Sequence, residues 1–385
     1  MVFSATHHLP GARVSNSARP VLIYRLGSLG DTLVALPCFH LVRRLYPERR
    51  IVLLTNHPVA GLAAPAMDVL AGSGLCDEAI PYPLRLRDLR ALASLRRQIR
   101  SYRFDIAFDL TESRGLLKGW RDHLFLRLCG IRRIIGTTAA WGDYFIHRPE
   151  GPLEEQECER LARRLRTIGR VDVSDRAAWD LHLKPDERDR AATLLREGGI
   201  SAPFIAASVG SKLPVKDWGN ENWSRLFHLI SSANPALGLV LAGSAEDFDR
   251  SAQLRRSWHG RAANLCGRCG PRVSAAVFER AALFVGHDSG PMHLAAATGI
   301  AVVAVFSWHN PPGQWFPGCL HWDHLMVFYP PLPEGMWSAR LSTRRGPCEG
   351  VLLIRPEAVA EACLRLTPAM AAVRLPHSNE LSRWH

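Results

Sequence analysis

Seven consecutive residues, His287-Asp288-Ser289-Gly290-Pro291-Met292-His293, bring two imidazoles, a carboxylate, a hydroxyl and a Gly-Pro pair together. The apolar run Ala281 to Val285 before them reads as a strand. Asp288 and Ser289 are strong helix N-cap types, and Pro291 suits a first helical turn, where its missing N–H would have had no partner. Ala295, Ala296 and Ala297 carry the helix on, and Gly299 ends it as a C′ glycine does. Val302 to Phe306 then reads as the next strand. A helix placed this way points its N-terminus at the carboxyl ends of the strands, where open α/β sheets bind ligands. Its free N–H groups and dipole would attract a phosphate at Ser289 to Met292. Gly290 permits close approach, and His293 lies one turn in at the same mouth. Asp288, beside an anion site, suits ribose or sugar hydroxyls better than phosphate. The plainer reading is that Asp288 and Ser289 only cap the helix, which leaves His293 and the Gly-Pro pair unexplained.

Two further turns follow strands in the same manner. Arg25-Leu26-Gly27-Ser28-Leu29-Gly30-Asp31 comes after the apolar run Val21 to Tyr24. It is neither G-x-G-x-x-G nor a P-loop, and it ends in an acid at a helix start. Asp31 there is an N-cap, or a general base accepting a hydroxyl proton, or both. Gly210-Ser211-Lys212-Leu213-Pro214-Val215-Lys216 follows the strand Phe204 to Ser208. The Ser211 hydroxyl and the Lys216 and Lys212 ammonium groups could all donate to a pyrophosphate, Lys216 the better placed of the two. An exposed basic loop is the alternative. Glu246, after Gly243-Ser244, could accept from a ribose or cap a helix.

The elements needed to hold these turns are legible as alternating strand and helix. Ile51 to Thr55, Ile106 to Leu110, Arg132 to Thr137 and Leu237 to Ala242 read as strands. Helical period runs from Asp31 to Pro47, over about Leu84 to Tyr102, from Pro185, over Trp223 to Ser232, and over Glu246 to Trp258. The fold class expected is α/β, with two parallel sheets covered by helices. Residues 1–19 read as a flexible leader without an apolar signal core, so no secretory signal is expected. A first domain over 20–171 and a second over 172–350 follow, then a short helix within 351–368 and a tail over 369–385. Trp308 to Gly350 is rich in proline and tryptophan and lacks a clear period, which in a compact domain points to a functional or extended loop.

A chain of 385 residues, 47% hydrophobic and 22% charged, is long enough for two soluble cores. No run of eighteen uncharged apolar residues exists to make a spanning helix. Nine scattered cysteines suggest reduced thiols, and the lone Cys266-x-x-Cys269 has no second pair with which to hold zinc. The net charge of +12 favours an anionic partner. Nucleic acid is disfavoured, because the arginines are not interleaved with aromatics and no DNA-binding spacing occurs. Arg85, Arg87, Arg90, Arg96, Arg97 and Arg100 lie on one helix, with Arg114, Lys118 and Arg121 after a strand end. One of these sets is expected to face an anionic acceptor.

Together these segments resemble the heptosyltransferase family of lipopolysaccharide inner-core synthesis, glycosyltransferase family 9. The resemblance rests on RLGSLGDTLVALP from Arg25, KDWGNENWSRL from Lys216, NLCGR from Asn264 and FVGHDSGPMHLAAATGIAVVAVF from Phe284. It spans roughly Val21 to Leu366. It implies a GT-B fold, two Rossmann-like domains facing a cleft, with the C-terminal helix crossing back onto the first. It also implies inverting transfer from an ADP-activated sugar, with no metal or other cofactor. In that case Asp31 would be the catalytic base. Ser211 and Lys216 would hold the diphosphate, Glu246 the ribose and Asp288 the sugar, with Ser289, Gly290 and His293 completing the donor site. Gly30, Arg114, Lys118 and Arg121 would face an anionic glycolipid acceptor. The enzyme would then work in the cytoplasm, in peripheral contact with the inner membrane. A transferase using another nucleotide sugar or a non-lipid acceptor, and a non-catalytic nucleotide-binding module, are the other readings. An oxidoreductase is disfavoured, because neither half carries the dinucleotide fingerprint.

Overall fold

The structure, a computed structural model, describes residues 19–56, 64–82, 88–137, 144–147, 153–201, 203–331 and 350–367. The leader up to residue 18, Arg85 and Arg87, residues 332–349 of the aromatic stretch and the tail from 368 lie outside the described residues.

Buried apolar runs form most of the strands, as continuous apolar segments do in sheets covered on both faces. The first sheet holds β1 (Val21–Tyr24), β2 (Ile51–Asn56), β3 (Glu78–Tyr82), β4 (Ile106–Asp109) and β5 (Arg133–Ile135). Its order is β3-β2-β1-β4-β5, parallel throughout. The second holds β6 (Phe204–Ser208), β7 (Gly238–Leu241), β8 (Ala262–Asn264), β9 (Leu283–His287), β10 (Ala301–Val305) and β11 (Leu325–Phe328). It runs β11-β10-β9-β6-β7-β8, also parallel. Strand order reverses between β1 and β4 in one sheet and between β6 and β9 in the other. Crevices at such reversals are where open α/β sheets bind ligands.

Helices α1 (Leu29–Val34), α2 (Leu36–Leu45), α3 (Met67–Leu70), α4 (Leu89–Ser101) and α5 (Leu116–Leu128) accompany the first sheet. Between the sheets in sequence come α6 (Glu157–Arg164) and α7 (Pro185–Glu197). With the second sheet come α8 (Asn220–Ala233), α9 (Phe248–Leu254), α10 (Pro271–Phe278), α11 (Gly290–Ala297) and α12 (Pro356–Leu366). Alternation along the strands sorts their side chains into layers. Val21 and Ile23 face a core built with α2, α6, α7, α10 and α11, which continues without a break to Phe204 and Ala206 of the second sheet. Leu22 and Tyr24 face α4 and α5. Ile205 and Ala207 face α8 and α12. One shared core therefore joins the two sheets.

Two expectations are corrected here. The C-terminal helix does not cross back to the first sheet. Val359, Ala360, Cys363 and Leu364 of α12 are buried against α8 and the second sheet, because that face would otherwise expose Val303 and Val305. The aromatic stretch also contains a strand, β11, which pairs with β10 from Leu325 to Phe328 and extends the second sheet by one. Flanking prolines hide a run that short.

Candidate active site

β9 delivers its last residue, His287, to the end of the sheet, and α11 starts three residues later. Neither Asp288 nor Ser289 caps that helix, contrary to the sequence expectation. Ser289 is the extended N-cap residue, but its hydroxyl donates back to the His287 carbonyl at 3.2 Å and no side chain caps the first turn. Asp288 turns away because a cation is within reach. Its Oδ2 accepts from Lys216 Nζ at 2.6 Å and from Asn310 Nδ2 at 2.9 Å, and charge-assisted bonds of this kind outcompete neutral ones. The first-turn N–H groups are thus left for an anion, as a helix N-terminus allows.

His287, which sequence reasoning left without a role, ties the lysine loop to the sheet. Its Nε2 accepts the Trp218 N–H at 3.0 Å, so its Nδ1 carries the proton shared with the Gly210 carbonyl at 3.2 Å. That pattern needs a neutral ring, and complete burial pushes its pKa down to about 4. Trp218 and Trp223 stack edge-to-face beneath it, and Trp218 donates to the Ile354 carbonyl at 2.9 Å. The loop carrying Lys216 is therefore anchored at both ends. Ser211 Oγ donates to the Leu213 carbonyl at 2.9 Å, while Lys212 is exposed at the tip, in the field of Asp247 and Glu246. Glu246 is exposed, and its own N–H and the Ser244 hydroxyl hold its carboxylate below the usual range. The capping role falls to Asp247, whose Oδ2 takes Ser244 N at 2.9 Å and Oγ at 2.8 Å.

The first sheet supplies the facing turn. Asp31 closes a capping box: its Oδ2 accepts from Ser28 N at 2.6 Å and Ser28 Oγ at 3.0 Å. Gly27, at φ +130°, passes so close that a Cβ there would land inside the Asp31 carboxyl group. The other oxygen, Oδ1, lies 3.8 Å from Arg25 Nη2. Arg25 is fully buried, and its Nε donates to the Asp31 carbonyl at 2.9 Å. Behind it Glu157 lies 3.4 Å from Arg25 and grips Arg160 with two bonds of 2.7 Å, while Arg164 lies 3.3 Å from Asp109. These five charges are buried, and the guanidinium groups hold Glu157 below the usual carboxylate range against the pull of burial. Glu112, three residues past the end of β4, was missed by sequence reasoning. Burial raises its pKa, with Glu157 and Asp31 adding to the effect.

The two turns meet directly. α1 packs on α11, with Gly30 and Gly290 at the seam. A Cβ on Gly30 would stand 3.2 Å from His293 Cδ2, and one on Gly290 would stand 3.0 Å from Leu29 Cδ2. His293 is buried, and its pKa is pushed down to about 4 despite the carboxylates of Asp288 and Asp31, which raise it. A neutral imidazole therefore sits in the field of both acids, one from each sheet. Of the expected residues, the structure brings Asp31, Gly30, Lys216, Asp288, Ser289, Gly290 and His293 together.

The basic residues expected on the acceptor side are less free than their sequence suggests. Arg114 pairs with Asp122, Arg121 Nη2 lies 2.8 Å from the same carboxylate, and Tyr24 OH donates to it at 3.3 Å. Asp122 is buried, so its charge fixes both arginines beside the end of β1. Lys118 is exposed. Cys266 and Cys269 contact Ser251 at 3.2 Å and Ser274 at 3.4 Å, and burial pushes the Cys266 thiol up to about 11. No cluster of three or more His, Cys, Asp or Glu able to hold a metal occurs among the described residues.

Comparison with known proteins agrees with this geometry. Residues 92–317 match the model of glycosyltransferase family 9 (heptosyltransferase). Over 299 residues the chain is 19% identical to the Haemophilus influenzae lipopolysaccharide core heptosyltransferase OpsX, covering 77% of this chain and 81% of that one. It is 20% identical to lipopolysaccharide heptosyltransferase 3 of Escherichia coli over 285 residues, 72% and 79% of the two chains. Among solved structures, a family 9 glycosyltransferase from Veillonella parvula superposes with a TM-score of 0.68 at 18% identity, covering 92% of this chain and 98% of that one. E. coli heptosyltransferase WaaC with ADP gives 0.58 at 17% identity over 89% and 96%. The fold is GT-B.

Proposed function

This chain belongs to glycosyltransferase family 9, and from that premise we propose that it moves a heptose or related sugar from an ADP-sugar to a lipopolysaccharide core or similar glycan, with inversion and without a metal or other cofactor. The observation that carries this reading is the seam itself. A carboxylate held at one helix start lies across a neutral histidine from an uncapped helix start with its lysine loop.

The division of labour follows from the charges. Residues 20–171 bind the acceptor and 172–350 the donor. Asp31 Oδ2 is occupied by Ser28, so Oδ1 takes the proton of the acceptor hydroxyl as its oxygen attacks the anomeric carbon. The bond from that carbon to the diphosphate breaks on the opposite side. Lys216 and the first-turn N–H groups of α11 balance the departing negative charge, which is where preorganised donors are most effective. Asp288 accepts from sugar hydroxyls and Asn310 donates to them. A neutral His293 adds no positive charge next to Asp31. The adenine assignment draws on the E. coli relative solved with ADP, and the acceptor on relatives named for lipopolysaccharide. The site of action is the cytoplasmic face of the inner membrane.

A thermal-shift comparison of ADP, UDP, GDP and NAD tests the donor, since a ligand of the native state raises the melting temperature. Stabilisation by ADP above the others is expected. A preference for UDP or GDP would move the chain to another nucleotide sugar, and a preference for NAD would overturn the transferase reading. Full transfer in excess EDTA is expected, and its loss would overturn the metal-free reading.

A further inference from the structure

Helix α5 wears its apolar residues on the outside. It buries only Gly119, Asp122 and Leu126, while Leu116, Leu117, Trp120, Leu124 and Leu128 are 46%, 87%, 53%, 57% and 51% exposed. These are five of the eleven large apolar side chains exposed among the described residues, all on one thirteen-residue helix. Leu116, Trp120, Leu124 and Leu128 recur every fourth residue and so form one stripe along the helix. Scattered exposed leucines are ordinary, but a contiguous stripe marks an interaction surface.

The charges around the stripe say what it meets. Lys118, Arg121 and Arg127 flank it, and the one acid of the helix, Asp122, points inward. The neighbouring α4 has no acid between Leu89 and Ser101, and its Arg96 and Arg100 donate to the Leu128 carbonyl at 2.9 and 3.4 Å. From Leu89 to Arg133 there are eleven Arg and Lys against four Asp and Glu, which makes up seven of the chain's net +12. Leucines and a tryptophan with cations beside them on the helix and at its Leu128 end match a surface that is apolar within and anionic at its rim.

We infer that the outer face of α5 docks on an anionic lipid bilayer, with Leu117 and Leu124 entering the acyl boundary and Lys118, Arg121 and Arg127 meeting lipid phosphates. The helix lies in the outermost layer, where α4 and α5 cover the first sheet. Buried Asp122 ties the helix and Arg114 to Tyr24 at the end of β1, and β1 runs straight into the Asp31 turn. An acceptor anchored in that bilayer would present its glycan beside Asp31. This last step rests on the proposed transfer; the docking surface does not.

Sedimentation of the full chain with vesicles tests it. At low salt the protein should bind phosphatidylglycerol–phosphatidylethanolamine vesicles at least tenfold more than phosphatidylcholine vesicles. Leu117→Ser with Leu124→Ser should lower that binding about tenfold without moving the thermal transition, while Leu353→Ser, a 62% exposed leucine on the second half, should bind as wild type. Absence of wild-type binding, or full binding by the double variant, would overturn the inference. So would light scattering that shows a wild-type dimer which the double variant dissolves, because the stripe would then meet a second copy. Transfer to a delipidated, water-soluble acceptor should be unchanged in the double variant. If wild type fails that assay as well, the transfer reading falls and the vesicle result stands.

Discussion

The Lys216 ammonium rests 2.6 Å from Asp288 Oδ2, across seventy-two residues of sequence, so the cation offered to a diphosphate is held by the acid beside the helix end. A bound donor must share that lysine or take it over. Lys216→Met should therefore weaken ADP binding at least tenfold. It should also lower the melting temperature, because Asp288, only 8% exposed, loses its counter-charge and keeps Asn310 alone. Asp288→Asn should bind ADP at least as well as wild type and lose turnover instead. Unaltered ADP affinity in Lys216→Met, read by calorimetry, would remove the lysine from the diphosphate.

Asp31 has one oxygen in its cap and the other 3.8 Å from Arg25. Asp31→Asn keeps an acceptor for the Ser28 N–H and removes the basicity. Turnover should fall by roughly a hundredfold or more, with ADP affinity unchanged. Near-normal single-turnover rates in this variant would assign the proton to another group, and Glu112 would be the next to substitute.

The seam between the halves tolerates little added volume. Gly290→Ala places a methyl 3.0 Å from Leu29 Cδ2, so α11 must back away from α1. A stability loss of about 1–3 kcal/mol is expected. Transfer should drop by more than ADP binding does, because the variant separates the acceptor turn from the donor turn. An equal loss in both assays would count against the seam as the place where the two meet.

His287 and His293 make stability depend on acidity. Unfolded, each takes a proton below about pH 6.5; folded, each holds out to about 4. The unfolded chain then binds more protons between these values, so stability rises with pH through the window and is lost on acidification from 6.5 toward 4. Full displacement is worth about 3 kcal/mol per histidine. Urea midpoints at pH 7 and pH 5 should differ accordingly, and equal midpoints would show that the rings are hydrated.

Much of this was legible in the order of residues. Val21 to Tyr24, Phe204 to Ser208 and Leu283 to His287 are apolar runs that end in glycine-bearing turns, and such local signals declare strand, turn and helix without reference to anything distant. Asp31, Lys216 and Asp288 stood out because each follows a strand end. Helix α5 was not legible, because leucines on its exposed side blur the contrast between faces that identifies a helix. β11 was hidden by prolines and tryptophans.

The sequence by itself determined the alternation of strand and helix, the surplus of positive charge and the places where chemistry could sit, since these depend on neighbours within a turn or two. Tertiary structure decided the pairings. It took Asp288 from its helix cap and gave it to Lys216, and it set Asp122 against Tyr24 across ninety-eight residues. It buried Arg25 behind Asp31, and it laid α12 on the second sheet. Each outcome turns on which partner comes within a few ångströms once the shared core has formed, and electrostatic preference acts over that range and no farther along the chain.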